Sequence, residues 1–197
     1  MLYIVGLGNP GEKYVNTRHN VGRLAVEYFA KQSNFANFSK DKNSNALHTR
    51  GLVGKVQVEC VLPETFMNNS GETVAYLLKK LGATKDDLIV VHDDIDLPFG
   101  EVKIAQNRGG GGNNGVSSII KAIDTKDFVR VRIGIAPKSI FGGSAKRPQG
   151  GGPLERFVLK SFNLLEKMEL DNLHKKTQQA IETIALEGVV LAMNKIN

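Results

Sequence analysis

The stretch Leu2-Tyr3-Ile4-Val5-Gly6-Leu7-Gly8-Asn9-Pro10-Gly11 decides the class of fold. Its first half is a short β-rich apolar run, the pattern of a buried strand. Its second half is a glycine turn. A helical pattern follows from Asn20 to Lys31, with Val21, Leu24, Ala25, Tyr28 and Phe29 on one face. Strand, turn and helix in that order begin an α/β unit. The turn also holds a literal G-x-G-x-x-G at Gly6, Gly8 and Gly11. A dinucleotide site needs the helix to open at those glycines, so that its N-terminus meets the pyrophosphate. Here the helix opens only near Asn20. The later stretch Lys31-Gln32-Ser33-Asn34-Phe35 offers no acid for a ribose. The glycines therefore read as a turn, and a nicotinamide enzyme is not expected.

Outward from this unit the alternation continues. Residues 32–46 are polar and read as a loop. Strands are expected at His48–Val53 and Val56–Leu62, joined by a tight turn at Gly54-Lys55. Asn69-Ser70-Gly71-Glu72 fits a capping box for a helix that stops at Gly82. Further strands are expected at Leu88–His92, Glu101–Ala105 and Val129–Ile135, with a short helix at Gly115–Ile123. Residues 136–153 are rich in Gly, Pro and Lys and read as a mobile surface loop. The chain from Asn163 reads as helical, with a break at Gly188. The expected fold is α/β: a single domain over 1–197, with a twisted, mixed but mostly parallel sheet, flanking helices and C-terminal helices. At 197 residues one core suffices without a disulfide or metal staple.

Composition narrows the class of protein. Cys60 is the only cysteine, so no disulfide framework exists. It lies in an alternating run and reads as a buried apolar residue rather than a nucleophile. Leu2–Val5 is too short for a signal-peptide core, and no apolar run reaches the length of a membrane span. A cytoplasmic location is expected, or an organellar matrix if a presequence has been removed. The formal net charge is +6. Residues 101–160 hold 11 basic and 4 acidic side chains, whereas residues 1–100 hold 11 of each. A localised positive field suits a polyanion, nucleic acid first. An ordinary solvated surface accounts for the same count.

Ligands of open α/β sheets bind beyond the carboxyl ends of strands. Four polar clusters follow apolar runs here: Gly6–Asn20, Pro63–Gly71, His92–Pro98 and Asn107–Gly115. His19 closes the first. A lone histidine is commonly a surface or capping residue. Asp93 in the third cluster could orient it, however, and an Asp–His pair leaves one ring nitrogen free as a base. Asp93, Asp94 and Asp96 also have the donor chemistry of a Mg²⁺ site. Ile95 interrupts them and Leu97-Pro98 reads as a turn, so no metal is expected. There is no serine elbow, P-loop or zinc spacing. Direct attack by water is the economical chemistry that remains. His19 would accept the proton, and carboxamides of Asn9, Asn68 and Asn114 would place an acyl group. Such help suits an activated ester better than an amide.

These residues together resemble bacterial-type peptidyl-tRNA hydrolases. The resemblance covers nearly the whole chain. It is carried by Val5–Gly11, Tyr14, Thr17–Asn20, Thr65–Asn68 with Ser70-Gly71, His92–Asp94 with Asp96–Pro98, Asn114-Gly115 and Arg132–Ile135. It implies hydrolysis of the ester between a peptide and the terminal ribose of tRNA, with no cofactor. It implies that His19 is the general base and Asp93 its orienter. Asn9, Asn68 and Asn114 would hold the peptide, the water and the ester end, and Tyr14 and Met67 would line the cleft. Lys103 and Arg132 match positions that contact tRNA phosphate. No membrane and no obligate protein partner is implied, and a monomer is expected. Two departures stand out. The family usually reads Gly-His-Asn-Gly where this chain has Gly112-Asn113-Asn114-Gly115. Ala105 stands where some relatives carry a second phosphate-binding lysine, a role that Arg108 is expected to take. The loop 138–152, with Lys146 and Arg147, is expected to gate the cleft. The rival reading is a non-catalytic RNA-binding module on the same fold.

Overall fold

A computed structural model describes residues 1–137 and 151–197. Among these residues seven strands form one sheet in the order β2-β3-β4-β1-β5-β7-β6. They are β1 (Leu2–Gly6), β2 (Ser39–Asp41), β3 (Ala46–Val53), β4 (Val56–Pro63), β5 (Leu88–Pro98), β6 (Val102–Ala105) and β7 (Val129–Ala136). The four central strands, β4, β1, β5 and β7, are parallel. The edges are antiparallel: β2 and β3 on one side, β6 on the other. The helices among the described residues are α1 (Val21–Gln32), α2 (Ser70–Leu81), α3 (Asn114–Ile123), α4 (Gly151–Val158), α5 (Leu164–Glu187) and α6 (Val189–Ile196).

Central strands of a parallel sheet are covered on both faces, so they read as continuous apolar runs. One core joins Ile4, Val91, Val131 and Ile133 to Phe29 of α1 and to Leu173 and Ile181 of α5. The other joins Val5, Val61 and Val90 to Val74 and Leu77 of α2 and Ile119 of α3. Helix α1 approaches the sheet unusually closely. A Cβ on Gly22 would land on the Val91 carbonyl. That contact sets the start of α1, and therefore the turn before it, over the carboxyl end of β1.

The hairpin at Gly54-Lys55 forms as expected, pairing Val53 with Val56. The stop at Gly82 also forms, in left-handed geometry with φ 71°. Gly188 separates α5 from α6, and Asn163 caps α5 in a full capping box with Glu166.

Four expectations need correction. Residues 39–41 form β2, a short exposed edge strand whose polar sequence hid it. The box at Asn69 does not form. Met67–Asn69 makes a 3-10 turn running straight into α2, and Asn69 has φ −116°, ψ 7°, not extended geometry. Ser118 Oγ of α3 accepts the Gly71 N–H instead, at 3.0 Å. Strand β5 does not end at His92 but continues to Pro98. Finally, the glycine-rich stretch is not all loop. Ala136 ends β7 and residues from Gly151 form α4. Lys146 and Arg147 lie outside the described residues.

Candidate active site

Strand β1 stops at Gly6, level with Val91 of β5. Strand β5 runs on past it, so Asp93 stands above the end of its neighbour. Side chains alternate along a strand. Asp93 therefore turns towards the turn before α1, and Asp94 turns towards the opposite face. His19 sits in that turn, within the 3-10 segment Arg18–Asn20.

His19 Nδ1 lies 2.9 Å from both carboxylate oxygens of Asp93. An ionised carboxylate only accepts, so Nδ1 carries the proton and donates. Nε2 has no partner among the described residues and is left with its lone pair. Burial disfavours the imidazolium, but the charge of Asp93 and its hydrogen bond outweigh that. The net effect raises the His19 pKa above its usual value.

Asn113 secures the carboxylate from the other side. Its Nδ2 donates to Asp93 Oδ1 at 2.7 Å and to the Asp93 carbonyl at 3.2 Å. Its Oδ1 accepts from the Gly115 and Val116 amides at 3.0 and 3.1 Å, capping α3. Asn113 thus forms a neutral bridge between a helix N-terminus and Asp93.

A cleft of about 580 Å³ opens over this pair. Asn9, Tyr14, His19, Met67, Asn68, Asp93, Asn113 and Asn114 all line it, so all four polar clusters converge on one place. Asn9 is held by a reciprocal pair with Asn20: its N–H donates to Asn20 Oδ1, and its carbonyl accepts from Asn20 Nδ2, both at 2.9 Å. Its Oδ1 accepts the Met67 N–H at 2.8 Å, which aims its NH₂ group into the cleft. Asn68 and Asn114 are exposed on the cleft wall. Tyr14 packs edge-on against Phe66 at 6.3 Å between ring centroids.

The opposite wall was not legible in the sequence. Leu154, Glu155, Val158 and Leu159 line it from α4 and the residue after it. A helix beginning Gly-Gly-Pro has the composition of a loop. The signal was present in Leu154, Phe157 and Val158, whose spacing is helical. Phe66 and Ile95 also line the cleft, inside clusters already singled out.

Lys103 and Arg132 face each other across β6 and β7. Arg132 Nε donates to Asp94 Oδ2 at 2.7 Å. Ala105 pairs with Arg130, a residue that nothing in the sequence singles out. Arg130 is buried, and its Nη1 donates to the Gly109 carbonyl at 2.8 Å. Its Nε and Nη2 have no hydrogen-bond partner among the described residues. Burial, then the repulsion of Arg132 and Arg108, push its pKa down to about 10. Arg108 is exposed on the adjoining loop. Asp94 therefore ties the strand that carries Asp93 to a cluster of three arginines and a lysine.

The three acids of the third cluster do not converge. Asp93 meets His19, and Asp94 meets Arg132 and the Asp96 N–H. No group of three or more potential metal ligands occurs among the described residues. Cys60 is fully buried in the sheet, away from the cleft, and burial pushes its thiol pKa up, so it stays protonated.

Comparison with known proteins gives the family. The family model for peptidyl-tRNA hydrolase matches residues 3–197. A peptidyl-tRNA hydrolase of Syntrophotalea carbinolica is 37% identical over 197 residues, covering 100% of this chain and 97% of its own. A chloroplastic peptidyl-tRNA hydrolase of Arabidopsis thaliana is 39% identical over 186 residues, covering 94% of this chain and 60% of its own. The crystal structure of the Acinetobacter baumannii peptidyl-tRNA hydrolase superposes with a TM-score of 0.89 at 29% identity, covering 100% of this chain and 94% of that one. With its motifs gathered in one cleft, the chain belongs to the peptidyl-tRNA hydrolase family.

Proposed function

We propose that this chain hydrolyses the ester between the peptide and the 3′-terminal ribose of peptidyl-tRNA, with His19 as the general base. The observation that carries the assignment is His19 itself. Its Nδ1 is fixed on Asp93, and its Nε2, without a partner among the described residues, lies in a cleft beside an aimed carboxamide. Nε2 takes a proton from water as the water oxygen attacks the ester carbonyl carbon. The bond from that carbon to the ribose oxygen breaks, and the proton passes to the departing oxygen. General-base help of this kind contributes roughly 10²–10⁴-fold. The Asn9 NH₂ group is placed to hold the peptide or the developing oxyanion, a donor worth about 10²–10³-fold. Asn68 and Asn114 hold the water and the ester end, and Tyr14 and Met67 give the cleft its apolar floor.

The basic cluster binds the tRNA backbone. Lys103 and Arg132, paired across β6 and β7, supply its charge, and the buried Arg130 stands behind them beside Ala105 with its Nη1 on the Gly109 carbonyl. Arg108 extends the field. Among the described residues no helix is long and apolar enough to cross a membrane. The protein works as a monomer in the cytoplasm or an organellar matrix, recycling tRNA in translation, and needs no cofactor and no obligate protein partner.

The test is release of N-acetyl-aminoacyl acid from tRNA, compared with release from free aminoacyl-tRNA. The wild type should cleave the blocked substrate. The His19→Ala variant should bind tRNA unchanged while losing at least about 10²-fold in turnover. A wild type that binds tRNA and releases nothing would establish the rival reading of a non-catalytic RNA-binding module.

A further inference from the structure

We infer that Asn113 is a positioning residue for hydrolysis, fixing the rotation of the Asp93 carboxylate and so the proton affinity of His19. This rests on the reading of His19 as the base. The geometry leaves the Asn113 amide one orientation. The Gly115 and Val116 amides can only donate, so they must face Oδ1, at 3.0 and 3.1 Å. Nδ2 is thereby turned towards Asp93, whose Oδ1 it meets at 2.7 Å. That oxygen is shared with His19 Nδ1, at 2.9 Å. The N-terminus of α3, Asn113, Asp93 and His19 form one continuous chain of hydrogen bonds. Asn113 and Asp93 are buried, 7% and 4% exposed, so water does not replace the amide readily.

The consequence is electrostatic as well as steric. A donor on Asp93 Oδ1 draws negative charge away from the oxygens facing the imidazole. A neutral donor does so without adding a positive charge to the cleft. Among the described residues, other charged groups around His19 are few. Asp93 faces it from β5. Arg18, its neighbour in the chain, turns away to Glu166 of α5. Glu155 of α4 lines the same cleft, and Tyr14 adds a phenol. His92 and Asp94 project from the opposite face of β5.

Two substitutions separate positioning from capping. Serine and aspartate are both good N-caps, so Asn113→Ser and Asn113→Asp keep the start of α3. Neither supplies the amide donor. Loss of that donor leaves more negative charge on Asp93 and stabilises the imidazolium. The acid limb of kcat/KM should rise by about 0.5 pH unit in Asn113→Ser, and kcat should fall about 10-fold as the carboxylate swings. In Asn113→Asp the two buried carboxyl groups stand at hydrogen-bond distance and share a proton, which returns a donor to Asp93, so the limb should stay near its wild-type place. The His19 imidazole, titrated by NMR in each protein, should shift as the limb does. Thermal melts and circular dichroism near those of the wild type would show that the fold is kept. An unmoved imidazole titration in Asn113→Ser would overturn the proposal and leave Asn113 as a helix cap alone. The NMR readout does not need turnover. A wild type inactive on peptidyl-tRNA would therefore sink the hydrolase assignment separately, while the titrations still decided the Asn113 linkage.

Discussion

Both carboxylate oxygens of Asp93 stand 2.9 Å from His19 Nδ1, so the imidazole is held in one tautomer whichever oxygen takes the hydrogen bond. A general base must be neutral to accept a proton. Activity should therefore rise with pH through the His19 pKa, which lies above the ordinary 6.5 because Asp93 outweighs burial. Asp93→Asn keeps the shape but removes the charge. The acid limb should then move to lower pH, and kcat should fall roughly 10–10²-fold because the wrong tautomer becomes accessible. A pH profile of kcat/KM decides it. A limb in the same place would mean that Asp93 does not govern His19.

The arginine cluster makes a separate prediction about salt. Removing one phosphate-binding side chain should flatten the slope of log K against log salt by about 0.7–0.9. Lys103→Ala and Arg132→Gln should each weaken tRNA binding and flatten the slope by that amount. Arg130 is 2% exposed, so Arg130→Gln is the control whose slope should stay near that of the wild type. Equilibrium binding between low and physiological salt is the measurement. Unchanged slopes in Lys103→Ala and Arg132→Gln as well would place the tRNA elsewhere on the protein.

The elements legible in the sequence are those whose own residues carry the signal. Val90 and Val91 mark a buried strand, Gly82 marks a helix stop, and Asn163 marks a helix start. The extension of β5 to Pro98 was hidden because its polar residues are satisfied from far along the chain. Asp93 is paired with His19, and Asp94 with Arg132. Likewise the cleft residues were visible as four separate clusters, but the wall formed by α4 was not. Its first turn is Gly151-Gly152-Pro153, and its helical face shows only against the core. Arg130 carries no signal of its own, because burial of a guanidinium depends on neighbours that the sequence does not place beside it. The role of Asn113 in holding Asp93 required the structure for the same reason.

A third prediction concerns stability away from the cleft. Glu59 is 1% exposed on β4, 2.7 Å from His48 Nδ1 and 2.8 Å from Arg50 Nε. Burial favours its protonated form, but hydrogen bonds from His48 and Arg50 dominate and hold its pKa below the usual value. A lowered carboxylate pKa gives stability that is present above the unfolded-state pKa and lost as pH falls through the folded one. Arg50 is 65% exposed, so water screens its share. Glu59→Gln should cost about 2 kcal/mol at neutral pH, and the gap to wild type should close below about pH 4. Urea unfolding at pH 7 and pH 3 checks this. Equal losses at both values would mean that the charge contributes nothing.

The last prediction follows from Arg18, the residue beside the base. Its Nε and Nη2 form a fork on Glu166, at 3.2 and 2.6 Å. Its Nη1 donates to the Lys160 and Ser161 carbonyls, at 3.3 and 3.1 Å. The guanidinium also lies 4.6 Å from the Phe157 ring centroid. Glu166 in turn accepts the Asn163 N–H and completes the cap of α5. The turn that carries His19 is thus clamped to the link between α4, which walls the cleft, and α5. Glu166→Ala strands a buried guanidinium and should cost about 3–5 kcal/mol. Replacing both partners, as Arg18→Met with Glu166→Leu, removes the stranded charge and should recover most of that loss. Activity should not recover with it, because the polar anchors on residues 160 and 161 are gone. The expected result is a double variant of near wild-type stability with lower kcat. A double variant with full activity would show that the clamp serves folding alone, and that His19 is held in place by Asp93 without it.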